Sequence, residues 1–85
     1  MQKEFPIGLI ENMSKLHTTD MGAVRIKKNL SIDVDDVVKW CHDRILDPRA
    51  VIVRKGKNWY IVVDEYRMTV NAFSYTIITA HKMKQ

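Results

Sequence analysis

Cysteine, glycine and proline are scarce in this chain: its 85 residues include one cysteine, Cys41, three glycines and two prolines. A single cysteine excludes an internal disulfide framework and a cysteine-rich zinc site, and it is typical of proteins from a reducing compartment. The chain contains no glycine-rich phosphate loop, no Gly-x-Ser-x-Gly turn and no His-Glu-x-x-His pair. These absences exclude the most recognisable nucleotide-binding, hydrolase and zinc-protease mechanisms, and the sequence predicts neither a metal site nor a cofactor.

Long apolar runs are missing as well. No segment approaches the roughly 18 apolar residues that a helix needs to cross a bilayer. Residues 1–16 form a charged, interrupted apolar stretch, whereas a signal peptide has a continuous one. We therefore expect a cytoplasmic protein without a membrane-spanning segment. A chain of this length buries only about 60% of its unfolded surface, so residues 1–85 are expected to form a single domain.

The positive charge is concentrated towards the end of the chain. Fourteen Lys and Arg stand against ten Asp and Glu, which gives a formal net charge of +4. Residues 1–53 hold equal numbers of both signs, so the whole excess lies in residues 54–85, where the acidic residues are Asp64 and Glu65. Such a patch suits a polyanion such as RNA, although a solvated surface is its commoner meaning.

The hydrophobic periodicity changes once, near residue 48. Before that point apolar residues recur at helical spacing, which predicts one helix over residues 3–16 and a second through about Leu30, capped by Thr18 or Thr19. A third predicted helix is capped by Ser31 or Asp33 and ends at Asp47 and Pro48. After it they alternate, which predicts strands over residues 50–55, 58–64, 66–72 and 75–82. We therefore predict an α+β fold, with two or three N-terminal helices (residues 1–47) packed on one face of a four-stranded antiparallel sheet (residues 50–82).

The turns decide which strand residues share a face of the sheet. Gly56 with Lys57 predicts a two-residue hairpin turn, and similarly tight loops are assumed at residues 64–65 and 73–74. This register predicts a helix-covered face that carries Ile52, Trp59, Ile61, Val63, Tyr66, Met68, Val70, Ala72, Tyr75, Ile77, Thr79 and His81. The opposite, open face is predicted to carry a mixed set that includes Tyr60, Arg67, Thr69, Ala80 and Lys82. A slip of one residue in a later loop would exchange the two faces.

Metal-free RNA cleavage requires a base near the 2′-hydroxyl, cations at the phosphate and an acid for the leaving oxygen. The catalytic candidates are His81 or Tyr75 for the proton and Arg67 for the transition state. His81 ends the longest apolar strand, and an imidazole can act as either acid or base near neutral pH. Each candidate has an ordinary structural alternative, since Arg67 can pair with Asp64 and Tyr75 can be a core aromatic with a polar tip.

The candidate RNA-binding residues are cations, an aromatic residue and an amide on or beside the strands. They are Arg54, Lys55, Lys57, Tyr60, Asn71 and Lys82. Tyr60, if it lies between cations on the open face, can stack a base of single-stranded RNA. The hairpin lysines are also common solubilising turn residues, and an asparagine beside a turn commonly bonds its own backbone.

Three segments resemble a family of small bacterial proteins that is known only as a domain of unknown function. These segments are KLHTTDMGAVRIKKNL (residues 15–30), RKGKNWY (residues 54–60) and VNAFSYTIITAHK (residues 70–82). The resemblance covers most of the chain and implies no activity.

A looser similarity concerns the order of the elements and the last strand. Helices followed by a four-stranded sheet that ends in Ile-Ile-Thr-Ala-His-Lys resemble the RelE and BrnT class of bacterial ribonuclease toxins. This similarity implies an active site at or near Thr79, His81 and Lys82, with Arg54 and Arg67 as supporting cations. The chain departs from the ribosome-dependent members in lacking their dense basic cluster.

Two functions of different classes remain open from the sequence. The first is a metal-independent RNA-cleaving or RNA-binding protein of bacterial toxin type, in which a 2′-hydroxyl attacks the adjacent phosphate. The second is a non-catalytic interaction protein, a homodimer or a phage-type inhibitor, that grips a protein partner with the open sheet face or a free strand edge. A small-ligand module with a groove between helices and sheet is a third interpretation.

Overall fold

The computed structural model describes residues 7–83, in which the helices precede the strands. The helices are α1 (Ile7–Glu11), α2 (Asp20–Leu30) and α3 (Val37–Ile45), and the strands are β1 (Val51–Lys55), β2 (Asn58–Val63), β3 (Tyr66–Asn71) and β4 (Ile77–Lys82). A 3₁₀ turn, Met13–Lys15, follows α1. The strands form one antiparallel sheet in the order β1-β2-β3-β4. The predicted α+β class is confirmed.

The first helix is shorter than the predicted range of residues 3–16. Residues 3–6 of that prediction lie outside the described residues, and α1 ends at Glu11. The chain then tightens into the 3₁₀ turn, which keeps Leu9, Met13 and Leu16 buried. These three residues therefore reach the core from two short helical pieces rather than from one helix.

Side-chain caps set where α2 and α3 begin. The hydroxyl of Thr19 accepts a hydrogen bond from a first-turn N–H of α2 at 2.9 Å, which confirms the predicted cap. The predicted cap of α3 is wrong, because Asp36 rather than Ser31 or Asp33 accepts from a first-turn N–H, at 3.0 Å. Ser31 instead adopts a left-handed conformation, with φ at 57°, that ends α2.

The core lies between the helices and one face of the sheet. α2 packs against β4, and α3 contacts β2. The largest fully buried side chains come from both layers: Leu9, Ile26, Leu30, Ile45, Ile61, Met68, Ile77, Val63, Val70 and Cys41. Burying one large aliphatic side chain stabilises a fold by about 1.5–3 kcal/mol, so this layer holds the sheet firmly. No helix of residues 7–83 covers the other face of the sheet.

The first two hairpins have the tight turns that the sequence predicts. β1 and β2 are joined by Gly56 and Lys57, and β2 and β3 by Asp64 and Glu65. Gly56 and Asp64 have positive φ angles of 62° and 54°. Positive φ suits the two-residue turns that match the twist of paired strands, and glycine and aspartate tolerate it well.

The third hairpin differs from the prediction. Its loop runs from residue 72 to residue 76 instead of being a two-residue turn. β4 also carries an extra residue, since Val70 pairs with Ile77 whereas the preceding Thr69 pairs with Thr79. Ile78 is therefore the bulged residue of a β-bulge, and it is exposed.

This bulge corrects the predicted faces of β4. Thr79 and His81, predicted on the covered face, lie on the open face. Ala80, predicted on the open face, is fully buried on the covered side, and Lys82 shares that side. The prediction assumed regular alternation, and a single extra residue reverses every later position of a strand.

Candidate functional site

The open face of the sheet carries three rows of side chains, because residues paired across strands point to the same side. The first row is Val51, Val62, Arg67 and His81; the second is Val53, Tyr60, Thr69 and Thr79; the third is Lys55, Asn58 and Asn71. The strand positions of this face hold basic, hydroxyl, amide and apolar residues, and neither Asp nor Glu occurs among them. The open face is therefore electrostatically suited to an anion.

Arg67 and His81 lie directly opposite each other on β3 and β4. Paired residues of antiparallel strands have Cα atoms about 4.5–5.5 Å apart, so the guanidinium and the imidazole can reach the same anionic group. Asp64, the alternative partner that the sequence suggested for Arg67, instead contacts Arg49 at 3.0 Å. Among residues 7–83 Arg67 forms no ion pair, and its charge is available to a ligand.

Tyr60 is the aromatic residue of the open face. It lies in the middle of β2, between Val53 and Thr69 in the second row, and it is half-buried. Asn58 Nδ2 donates a hydrogen bond to Tyr60 Oη at 3.3 Å, which restricts the ring. Trp59 points to the covered face and is 4% exposed, so the two consecutive aromatics separate as the sequence predicts.

Arg54, one of the predicted phosphate contacts, lies on the other side of β1. Its guanidinium carbon is 5.5 Å from the centre of the Trp59 ring and 5.6 Å from that of Phe73. Its Nε donates to Gly56 O at 3.0 Å. Stacking on two rings and bonding the hairpin turn gives Arg54 a structural role away from Arg67 and His81.

Lys82, Tyr75 and Lys57 also lie apart from the open face. Lys82 shares the covered side of the sheet, and its Nζ is 3.6 Å from Glu65. Tyr75 lies in the loop before β4 with φ at 61°, packs against the core, and holds Lys15 over its ring at 5.7 Å. Lys57 occupies the first hairpin turn, one position beyond the strand. The structure therefore does not bring these three residues to Arg67 and His81.

Asn71 ends the third row, but its side chain is engaged by the following loop. Its Oδ1 accepts hydrogen bonds from Phe73 N at 2.9 Å and Ser74 N at 2.8 Å. Its backbone oxygen also accepts from Tyr75 N. The amide oxygen thus stabilises the loop, and the amide nitrogen is the part of Asn71 that a ligand on the open face can use.

A second polar cluster lies at the other end of β4, and we call it the His17 staple. His17 Nε2 is 3.0 Å from Thr76 Oγ1, which is 2.8 Å from Ser74 Oγ. His17 Nδ1 is 2.8 Å from Lys15 O. A carbonyl only accepts, so Nδ1 carries the hydrogen and Nε2 accepts from the Thr76 hydroxyl. The sequence gives no local signal for this cluster, because His17 and Thr76 are 59 positions apart.

A groove of the described surface lies among the helices. Its volume is about 400 Å³, and it runs between the 3₁₀ turn and α3, with Met13, Ser14, Asp36, His42 and Asp43 in its walls. A hydrogen bond from Lys39 and the neighbouring His42 lower the pKa of the Asp43 carboxyl. This groove is not the space between helices and sheet that the third interpretation of the sequence required.

The described residues offer little for metal or thiol chemistry. No group of three or more His, Cys, Asp or Glu side chains in residues 7–83 is placed to hold a metal ion. Cys41 is fully buried, and burial raises the pKa of its thiol to about 12. The thiol is therefore a core group and not a nucleophile at neutral pH. None of the helices in this range has the length and apolar character needed to cross a membrane.

Comparison with known proteins gives a family for this fold. The family model described as "Protein of unknown function (DUF3781)" matches residues 10–81, which include Tyr60, Arg67, His81 and the His17 staple. Neither a curated protein nor a solved structure matches the chain significantly. The matched region holds α2, α3 and almost the whole sheet, and the chain belongs to the DUF3781 family.

Proposed function

We propose that the protein binds single-stranded RNA on the open face of its sheet. The observation that carries this proposal is that Tyr60, Arg67 and His81 share one face of the sheet, which no helix of the described part of the chain covers and whose strand positions lack acidic residues. A sheet that is covered by helices on one side and presents an aromatic residue and cations on the other is a recurrent way to hold unpaired bases. Tyr60 would stack a base, and Arg67, His81 and Lys55 would contact the backbone.

The distribution of ion pairs supports the same surface. The acidic residues of the sheet half, Asp64 and Glu65, are occupied by Arg49 and Lys82 at 3.0 and 3.6 Å. They therefore neutralise cations at the turn and on the covered side, not Arg67. The positive potential of the open face remains uncompensated within the described residues, which favours a polyanion over an acidic or neutral small ligand.

RNA cleavage of the RelE and BrnT type is a finer proposal for the same surface. His81 would take the proton of a 2′-hydroxyl, whose oxygen forms a bond to the adjacent phosphorus while the bond from phosphorus to the 5′-oxygen breaks. The leaving 5′-oxygen would take a proton from water, and Arg67 opposite His81 would stabilise the charge on the attacked phosphate. Tyr75, the second proton-transfer candidate, lies in the loop at the far end of β4 and does not face His81. The geometry therefore supports RNA binding more strongly than RNA cleavage.

Direct binding measurements test the proposal. Fluorescence anisotropy with a labelled oligouridine of about eight nucleotides should show binding that weakens steeply with salt. Tyr60→Ala should weaken binding by at least about fivefold, since base–aromatic stacking contributes about 1–3 kcal/mol. Arg67→Ala should reduce the slope of log K against log salt by about 0.7. The matched controls, Phe73→Ala and Arg25→Ala, remove an exposed aromatic and a cation elsewhere and should leave binding unchanged.

The competing function is a protein-interaction surface, and the exposed apolar residues of β1 are the observation that favours it. Val51 and Val53 are 60% and 52% exposed, on a strand whose outer edge has no partner among the described residues. Light scattering decides between the two functions. A salt-insensitive dimer that is disrupted by Val53→Lys, together with absence of RNA binding, would refute the RNA proposal.

The catalytic form of the RNA proposal has its own test. Loss of oligouridine cleavage in His81→Ala would support it, and unchanged cleavage would refute it.

A further inference from the structure

The second row of the open face contains two hydroxyl groups that have no hydrogen-bond partner among the described residues. In residues 7–83 the hydroxyls of Thr18, Thr19 and Thr76 all take part in hydrogen bonds. Those of Thr69 and Thr79 have no such partner in the same range, although Thr69 is only 9% exposed. The one fully enclosed and unpartnered side-chain nitrogen or oxygen in this range is Arg44 Nε, so the Thr69 hydroxyl still reaches the surface.

A nearly buried hydroxyl that faces a candidate binding surface marks a place for a hydrogen-bonding ligand. Thr69 is paired with Tyr60 on one side and with Thr79 on the other, so all three side chains share the open face. A threonine hydroxyl donates one hydrogen bond and accepts others. It can therefore bond a ligand hydroxyl, which has the same capacity, in either direction.

The positions of Tyr60, Thr69 and Arg67 on the open face match the order of base, sugar and phosphate in a nucleotide. Neighbouring strands are about 4.8 Å apart, and residues two apart on one strand are separated by about 6.8 Å. A base stacked on Tyr60 would thus have its sugar over Thr69, on the next strand. Its phosphate would lie towards Arg67, which is two residues before Thr69 on β3 and opposite His81.

We propose that Thr69, assisted by Thr79, bonds the ribose 2′-hydroxyl of the bound strand, so that the open face selects RNA over DNA. This inference rests on the proposed function and names the chemical feature that the same surface recognises. The 2′-hydroxyl is the group by which a protein can distinguish the two nucleic acids at a given site. One net hydrogen bond corresponds to a selectivity of about fivefold.

The test compares oligouridine with oligodeoxyuridine of the same length, which differ only in the 2′-hydroxyl. The wild-type protein should bind the RNA about fivefold more tightly. Thr69→Val keeps the β-branched shape, removes the hydroxyl, and should reduce this ratio to about one by weakening RNA binding alone. Thr69→Ser retains the hydroxyl and should retain the preference. Thr79→Val should lower the ratio by a smaller factor.

Other outcomes separate this inference from the proposed function. Equal binding of RNA and DNA by the wild type, with loss of both in Tyr60→Ala, would overturn the ribose contact and leave nucleic-acid binding standing. An equal loss of RNA and DNA binding in Thr69→Val would also overturn the ribose contact. The effect of the substitution would then not depend on the 2′-hydroxyl, which DNA lacks. Absence of binding to either oligonucleotide would refute both proposals.

Discussion

Replacement of Thr76 by valine should destabilise the fold by breaking the His17 staple. The Thr76 hydroxyl bonds His17 Nε2 at 3.0 Å and Ser74 Oγ at 2.8 Å. Each hydrogen bond contributes about 0.5–1.5 kcal/mol net, and both partners are exposed enough for water to replace the lost group. We therefore expect Thr76→Val to lower the free energy of unfolding by about 1–2 kcal/mol. In a domain of this size this corresponds to roughly 4–8 °C in Tm for each kcal/mol.

A double-mutant cycle measures the staple itself. Urea unfolding of Thr76→Val, His17→Ala and the double variant should give a coupling energy of about 0.5–1 kcal/mol between the two side chains. The backbone bonds that join His17 to Tyr75 and Ile77 stay in every variant, so they cancel in the cycle. Strictly additive effects of the two substitutions would refute the account of the staple.

Three further predictions concern the scaffold. The Cys41 thiol, with its pKa raised to about 12 by burial, should resist iodoacetamide at neutral pH and react at the rate of unfolding; rapid labelling of the native protein would contradict its burial. The Asp47 carboxyl has a pKa held below 3.8 by hydrogen bonds from Arg49, so it stabilises the fold above that pH and loses this effect as the pH falls through the lowered value. The stability difference between wild type and Asp47→Asn should accordingly vanish in acid titrations, and a constant difference would contradict this. Gly56→Ala should cost about 1–2 kcal/mol in thermal unfolding because φ is 62°, whereas Lys57→Ala should cost little.

The parts of the fold that follow local rules could be predicted from the sequence. Thr19 caps α2 by a bond within one turn, and Gly56 forms a two-residue turn, so both depend on neighbours in the chain. The burial of Trp59 and Cys41 follows from the strand and helix periods. Each of these features depends on residues that are no more than four positions apart in the chain.

The features that could not be predicted depend on distant partners. The loop before β4 is shaped by Asn71 and anchored to His17, and Ile78 is an extra residue within β4 itself. Regular alternation placed His81 on the covered face, and the bulge alone brings it opposite Arg67. The sequence thus placed the β2 and β3 residues of the candidate site on the open face, but the β4 side of this face could be located only from the observed pairing.

The central claim is that the open face binds RNA, and an NMR titration of the ¹⁵N-labelled protein with oligouridine tests it most directly. The account predicts that amide shifts change at Tyr60, Arg67, Thr69 and His81, while those of Met21 and Val24, exposed on α2, stay constant. Shifts confined to the helices, or no change at a saturating RNA concentration, would contradict it.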